Sequence, residues 1–329
     1  MSHSRDQNSF LTDHIGHFGA HQRALGKRFE TAESGLRLLD RYLVAQQVTT
    51  LDAITPAVLE AFLTSRPRQP QSFNTLLGVV RRFFDWLVLH EVIVRSPLQT
   101  SSRLCPPRPR PFIFDLPQAQ RLLDVTVQLP DYSGTGPRGL TYQVGFALMY
   151  GLGLRVGEVV RLQRRHVDLE RQLLVIVETK FAKSRFVPFG PRMAARLETY
   201  MDQAAQTGGE LRPEYPLLSI DKEKTRPLYR QRLSRVFHEL LPQLDLTIPP
   251  GVASPRAHHL RHSFAVNTLL RWYRAGIDPA GRLLHLSTFM GHVDPCSTAV
   301  YLTITADLFK EASDRFERFA MLLLKEISP

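Results

Sequence analysis

The apolar positions of this chain follow helical spacing over most of its length and strand spacing only briefly. Between Thr31 and Gln47, Leu36, Leu38, Leu39, Tyr42 and Leu43 recur on one face, which predicts an amphipathic helix. A short helix is predicted from Thr55 to Thr64, with Thr55 as N-cap and Pro56 at the first helical position, where its missing N–H is no loss. From Ser72 to His90 a third stripe carries Leu76, Leu77, Val80, Phe83, Phe84 and Leu87. Aromatics at this spacing belong to a core more often than to a base-stacking surface, so Phe83, Phe84 and Trp86 are expected inside.

The helical pattern stops at Cys105–Pro111, where Pro106, Pro107, Pro109 and Pro111 force an extended, semi-rigid path. Past it the pattern is mixed. Asp115 is placed to cap a helix running to about Leu129, and Leu140–Leu152 is apolar enough to be a buried helix. Leu173–Glu178 and Arg185–Phe189 read as two strands of a hairpin, with a basic tip at Thr179–Ser184. Gln206–Pro216 reads as a loop. Further helices are predicted at Pro191–Ala205, Leu228–Leu241, Leu260–Ala275, Arg282–Met290 and Ala306–Lys325. The expected fold is mainly α with a small β-sheet or hairpin. A helical domain spans 1–105, a Pro/Arg-rich linker 106–114, and a mixed α+β domain 115–329.

Composition narrows the partner. With 329 residues, 43% hydrophobic and 22% charged, this is an ordinary globular composition with room for two domains. No apolar run approaches the ~18 residues of a membrane span. The polar N-terminus lacks a secretory core segment, and the two distant cysteines, Cys105 and Cys296, fit a reduced cytoplasmic setting. Forty-two Lys and Arg against 31 acidic residues leave a net charge of +11, which favours a polyanion. Arginine dominates, and its planar fork suits phosphate, so nucleic acid is the expected partner ahead of an anionic membrane surface. Arg81 and Arg82 on the third helix, and Arg108 and Arg110 in the linker, are candidates for the nucleic-acid backbone.

Candidate chemistry lies in the second half. Gly151–Leu162 sets Arg155 where a buried helix gives way through glycines to another, with Glu158 one turn on to orient the guanidinium. The hairpin tip offers Lys180 and Lys183, with Arg185 following, and Lys183 and Arg185 are further candidates for nucleic-acid contact. His258 and Arg261, three apart at a helix start, share one face, while His259 and His262 are expected in packing or supporting roles. Three histidines in five positions raise zinc, but no HExxH pattern, cysteine pair or spaced carboxylate accompanies them, so no metal is expected. Gly291 permits a close turn that presents His292, and Tyr301 follows on a short helical segment. Guanidiniums around that phenol are expected to favour its ionised form.

These segments together resemble the tyrosine recombinases of the phage integrase family: GLGLRVGEVVRL, TKFAKSRFVPF, HHLRHSFAVNTLL and FMGHVDPCSTAVYLTI, in order. More loosely, TLLGVVRRFFDWL resembles the end of that family's helical core-binding bundle. The resemblance implies a core-binding, SAM-like DNA-binding domain followed by a recombinase catalytic domain. It implies Arg155 as the first catalytic arginine supported by Glu158, and Lys180, with Lys183 as rival, protonating the departing 5′ oxygen. His258 would assist proton transfer, Arg261 would clamp the phosphate and His292 would hydrogen-bond a non-bridging oxygen. Tyr301 would be the nucleophile, forming a 3′-phosphotyrosyl link with no cofactor. It implies a homo- or hetero-tetramer on paired sites, with the C-terminal helix packed on its own domain or on a neighbour. Two other readings stay open: a type IB topoisomerase-like relaxase, and a catalytically inactive DNA-binding regulator or accessory protein with the same fold.

Overall fold

A computed structural model describes residues 9–27, 29–107, 109–132, 135–177, 184–206, 212–292, 294–303, 310–311, 313–314 and 317. Lys180, Lys183, Arg108 and most of the predicted C-terminal helix lie outside them. The chain separates into two compact units, Met1–Arg108 and Pro109–Pro329.

Unit one consists of α1 (Thr12–Ala24), α2 (Glu30–Ala45), α3 (Pro56–Thr64) and α4 (Pro70–Leu89). Thr55 caps α3 by accepting from the Val58 N–H at 3.4 Å, with Pro56 inside the first turn. The core joins Phe18 of α1, Leu36, Leu39 and Leu43 of α2, and Phe73, Val80, Phe83, Phe84 and Leu87 of α4. Phe83 and Phe84 are therefore core residues, and Trp86 packs partly buried against them. α1 has no counterpart among the predicted helices. Its apolar anchors, Ile15 and Phe18, are separated by glycine and histidine, and the helix is held by burial rather than by propensity. The chain after α4 turns back along it: Asn74 exchanges two hydrogen bonds with the Arg103 backbone, at 2.7 and 2.8 Å, and Arg81 donates to the Thr100 carbonyl at 3.1 Å. Arg81 and Arg82 are exposed.

Unit two begins inside the predicted linker. Arg110 donates its N–H to Gly251 and accepts from Ala253, while Phe112 and Phe114 are buried in the core. Residues 109–114 are thus built into this unit, because Phe112 and Phe114, on either side of Ile113, must be covered. α5 (Leu116–Val127) starts at a capping box: Asp115 accepts from the Gln118 N–H at 2.8 Å, and Gln118 accepts from the Asp115 N–H at 3.1 Å. α6 (Arg138–Gly151) is buried on nearly every side, and the short α7 (Val156–Val159) follows it.

The sheet has three antiparallel strands in the order β1 (Val167–Asp168), β2 (Leu173–Ile176), β3 (Arg185–Pro188). The two-residue β1 extends the expected hairpin by one strand. It is too short to leave an alternating pattern in the sequence. α8 (Pro191–Gln206), α9 (Arg230–Leu240), α10 (Ala257–Arg274), α11 (Pro279–Met290) and α12 (Cys296–Ala299) complete the unit, with a 3-10 turn at Val300–Thr303. Asp278 caps α11 through the Ala280 N–H, and Gly291 ends it at φ 69°, ψ 41°. Among the described residues no helix is long and apolar enough to cross a membrane.

Candidate active site

The end of α11 organises the site. With Gly291 left-handed, the His292 N–H reaches back to Ser287 and the Gly291 N–H to Thr288, both at 2.9 Å, a pairing that closes the helix and turns the chain sharply. A Cβ at Gly291 would lie 2.6 Å from the Arg185 guanidinium, so glycine is demanded by space as well as by φ. The last carbonyls of α11 carry the negative end of the helix dipole, and three arginines bind them. Arg155 donates to Gly291 O at 2.7 Å, Arg261 to Met290 O at 2.9 Å, and Arg185 to Phe289 O at 2.8 Å.

Glu158 lies among the same three side chains. It accepts from Arg155 Nη1 at 2.8 Å and from Arg185 Nη1 and Nη2 at 3.0 Å each, and Arg261 stands 4.0 Å away. It also accepts the Arg155 backbone N–H at 2.9 Å, which fixes the start of α7. The carboxyl is only 3% exposed. Burial alone would raise its pKa, but the hydrogen bonds and charge of Arg185, then of Arg155, overcome it and hold the value at about 2. A single carboxylate thus offsets three guanidiniums, leaving net positive charge.

The arginines differ in access. Arg155 leaves 29% of its side chain exposed and is the one that reaches the surface. Arg261 is 1% exposed, with Nη1 bonded to the Gly153 carbonyl. Burial, and then the charge of Arg155, lower its pKa to about 9, so it stays protonated at neutral pH. Arg185 corrects an expectation. Rather than facing DNA from the hairpin, it turns inward with 9% of its side chain exposed and spends its donors on Glu158 and Phe289. The physical reason is that a buried carboxylate needs more than one partner.

Of the three α10 histidines, His262 meets the tyrosine, and His258 and His259 pack beside His262. His258, at the helix start, keeps part of its surface open, yet burial, then the charges of Arg261 and Arg155, lower its pKa to about 4. His259 is 7% exposed and accepts the Arg256 N–H at 3.3 Å, closing the N-terminus of α10. His262 is not confined to packing: its Nδ1 lies 2.9 Å from Tyr301 Oη. The usable signal is its spacing. It follows His258 by four residues, so both occupy one helical face, and their rings lie 4.8 Å apart. His292 stacks on Tyr301 at 6.3 Å, with its Nδ1 2.6 Å from the buried Thr298 hydroxyl, which orients the ring and leaves Nε2 facing elsewhere.

Tyr301 is 4% exposed and packs in a cluster with Met290, Leu286 and Leu269. Its phenol shows the second correction. Burial raises the pKa above its ordinary value, and Arg261 and Arg155 lower it only in part. In the free chain the hydroxyl is neutral, because desolvation of a phenolate outweighs the guanidinium field. Arg155, Glu158, His258, Arg261, His292 and Tyr301 thus gather in unit two around the end of α11 and the start of α10. Among the described residues no group of three or more His, Cys, Asp or Glu is arranged to hold a metal ion.

Residues 117–307 match the Phage integrase family. The chain is 34% identical over 299 residues to the integrase/recombinase y4rB of Sinorhizobium fredii, covering 90% of this chain and 94% of that one. It is 27% identical over 263 residues to the tyrosine recombinase XerC of Xanthomonas campestris, covering 78% and 71%. In fold it is similar to the Tn1549 transposon integrase in complex with a circular intermediate DNA, with TM-score 0.65, 15% identity, and 93% and 99% coverage. It is also similar to a lambda integrase dimer bound to a COC′ core site, with TM-score 0.60, 16% identity, and 88% and 76% coverage.

Proposed function

The chain belongs to the phage integrase family, and from that membership we propose that it is a site-specific DNA recombinase that cuts and rejoins strands through a 3′-phosphotyrosyl link to Tyr301. One observation carries the reading: Arg155 and Arg261 converge on the last carbonyls of α11 beside a buried tyrosine whose phenol lies within the field of both charges.

The chemistry follows from the charges. A phosphodiester at this site meets Arg155 at the surface, positive charge from Arg261 beneath, and the Nε2 edge of His292. These groups stabilise the charge that builds on the phosphoryl oxygens as Tyr301 Oη bonds to phosphorus and the bond to the 5′ oxygen breaks. The departing oxygen takes a proton from Lys180, or from Lys183 on the same tip. His258, beside Arg261 and Arg155, assists proton transfer. The covalent link conserves the bond energy, so a 5′ hydroxyl from another strand reverses the step without metal or high-energy cofactor. Guanidiniums supply the positive charge that a metal would otherwise bring.

Double-stranded DNA as substrate agrees with the net charge of +11. In unit one, exposed Arg81 and Arg82 suit its backbone, as do Arg108 and Arg110 near the boundary, in keeping with a core-binding domain. Exchange between two duplexes requires four strand cleavages, which favours a homo- or hetero-tetramer on paired sites, acting in the cytoplasm. Movement of a mobile element is one programme this chemistry serves. Tyr301→Phe is expected to abolish covalent capture of DNA while leaving specific binding intact in a gel-shift assay, and wild-type cleavage is expected to be unchanged by EDTA. Loss of binding together with capture would assign Tyr301 a structural role, and EDTA-sensitive cleavage would defeat metal independence.

A further inference from the structure

The only side chain seen to hydrogen-bond the Tyr301 hydroxyl, among the described residues, is His262, at 2.9 Å. The two rings lie 5.4 Å apart at 58°. Both groups are withdrawn from water, Tyr301 at 4% exposure and His262 half-buried. A hydroxyl buried this deeply must donate its hydrogen, and Nδ1 is the acceptor within reach. That assignment fixes the imidazole as neutral with its proton on Nε2. Charge around the ring agrees: His258, His259 and Arg261 face it from α10 and His292 from beyond α11, and burial first, then these groups, lower its pKa to about 3. Tyr301 comes from the 3-10 turn with its own pKa raised, so the pair rests as O–H···N.

We propose that His262 is the proton acceptor for the nucleophile. As Oη bonds to phosphorus and the bond to the 5′ oxygen breaks, the phenolic proton passes along the existing hydrogen bond to Nδ1, giving an imidazolium. When a 5′ hydroxyl attacks the phosphotyrosine, the same proton returns to Oη. The proton gained by the departing 5′ oxygen comes from a separate acid, so the two transfers balance. Every neighbour that opposes a charge on His262 is cationic or becomes so on protonation, and a phosphodiester is the opposite charge that relieves them. The imidazole is therefore a weak base in the free chain and a competent one only with DNA in place. Tyr301 stays protonated until there is a phosphate to attack. His258 carries the match to the family's motif, but the Tyr301 hydroxyl is bonded to His262 in this geometry.

This proposal rests on the recombinase reading, and its test separates the two. The experiment measures single-turnover covalent capture of nicked suicide DNA, taken from the sequence flanking the gene, for wild type, His262→Asn, His262→Ala and Tyr301→Phe between pH 6 and 9. Asparagine keeps a hydrogen-bond acceptor but cannot hold a proton. Positioned proton transfer contributes typically 10²–10⁴-fold, so capture by His262→Asn is expected to fall at least about 100-fold. Its rate should rise with pH as hydroxide substitutes for the missing base, while DNA binding is unchanged. A His262→Asn rate within about threefold of wild type, with the same pH profile, would overturn the proposal. Loss in His262→Ala with full activity in His262→Asn would reduce His262 to a positioning residue and overturn it equally. Should the variants fold poorly, the imidazole nitrogen resonances of DNA-free wild type and Tyr301→Phe decide the geometry. A Nδ1 shift on removing the phenol is expected, and identical spectra would contradict the bond. If wild type forms no adduct and behaves like Tyr301→Phe, the recombinase reading itself fails, and the role of His262 with it.

Discussion

Replacing Glu158 by Gln tests the electrostatic design of the site without changing its shape. The carboxyl is 3% exposed, accepts from Arg155 and twice from Arg185, and has Arg261 at 4.0 Å. Its pKa falls from 4.5 to about 2 on folding, which corresponds to about 3 kcal/mol of stabilisation at neutral pH. Removing one partner of a buried ion pair costs about 3–5 kcal/mol by an independent route, so the two scales agree. A domain of this size loses roughly 2–4 °C in Tm per kcal/mol, which places Glu158→Gln about 6–12 °C below wild type. The pH dependence has a definite sign. A carboxylate whose folded pKa is depressed stabilises fully above its unfolded value of 4.5, and that stabilisation is lost as pH falls from there towards 2. The gap between wild type and variant, read by thermal and urea unfolding, should be constant from about pH 5.5 to 8 and narrow below about pH 4.5. A gap under about 1 kcal/mol at pH 7, or one that widens with acid, would refute the assignment of Glu158 as the counter-charge to the arginines.

Arg261→Ala should slow DNA cleavage by about 10²–10³-fold, the usual loss when one preorganised charge donor is removed; near-normal capture on suicide DNA would defeat its role. His259, His262 and His292 have folded pKa values lowered from 6.5 to about 4, 3 and 4, with burial the largest cause in each. Unfolding therefore takes up protons below about pH 6.5, and stability present above that value should be lost as pH falls towards 4, by about 1.4 kcal/mol per pH unit for each group fully involved. Urea midpoints that stay level from pH 7 to 5 would contradict this.

How much of this was legible in the sequence depends on how local the cause is. Thr55 and Asp115 cap their helices as expected, because capping involves residues only three apart. Arg155 with Glu158, and the turn at Gly291, were legible for the same reason. Arg185 was not: its partners Glu158 and Phe289 are distant in sequence, and a basic residue after a hairpin tip looks like a surface charge. The state of Tyr301 is not legible there, because the sequence shows the arginines but not the burial that outweighs them. His262 was within reach, since a four-residue step from His258 already places it on the same face. α1 escaped because Ile15 and Phe18 alone make a weak stripe, and their helix depends on α2 and α4 to cover it.

The central claim is that Tyr301 becomes joined to DNA. Wild-type protein should be trapped on nicked suicide DNA, digested and sequenced by mass spectrometry. The account predicts a nucleotide linked to the peptide containing Tyr301, with a free 5′ hydroxyl on the released strand. Attachment at any other residue, or cleaved DNA with no attached peptide, would contradict it.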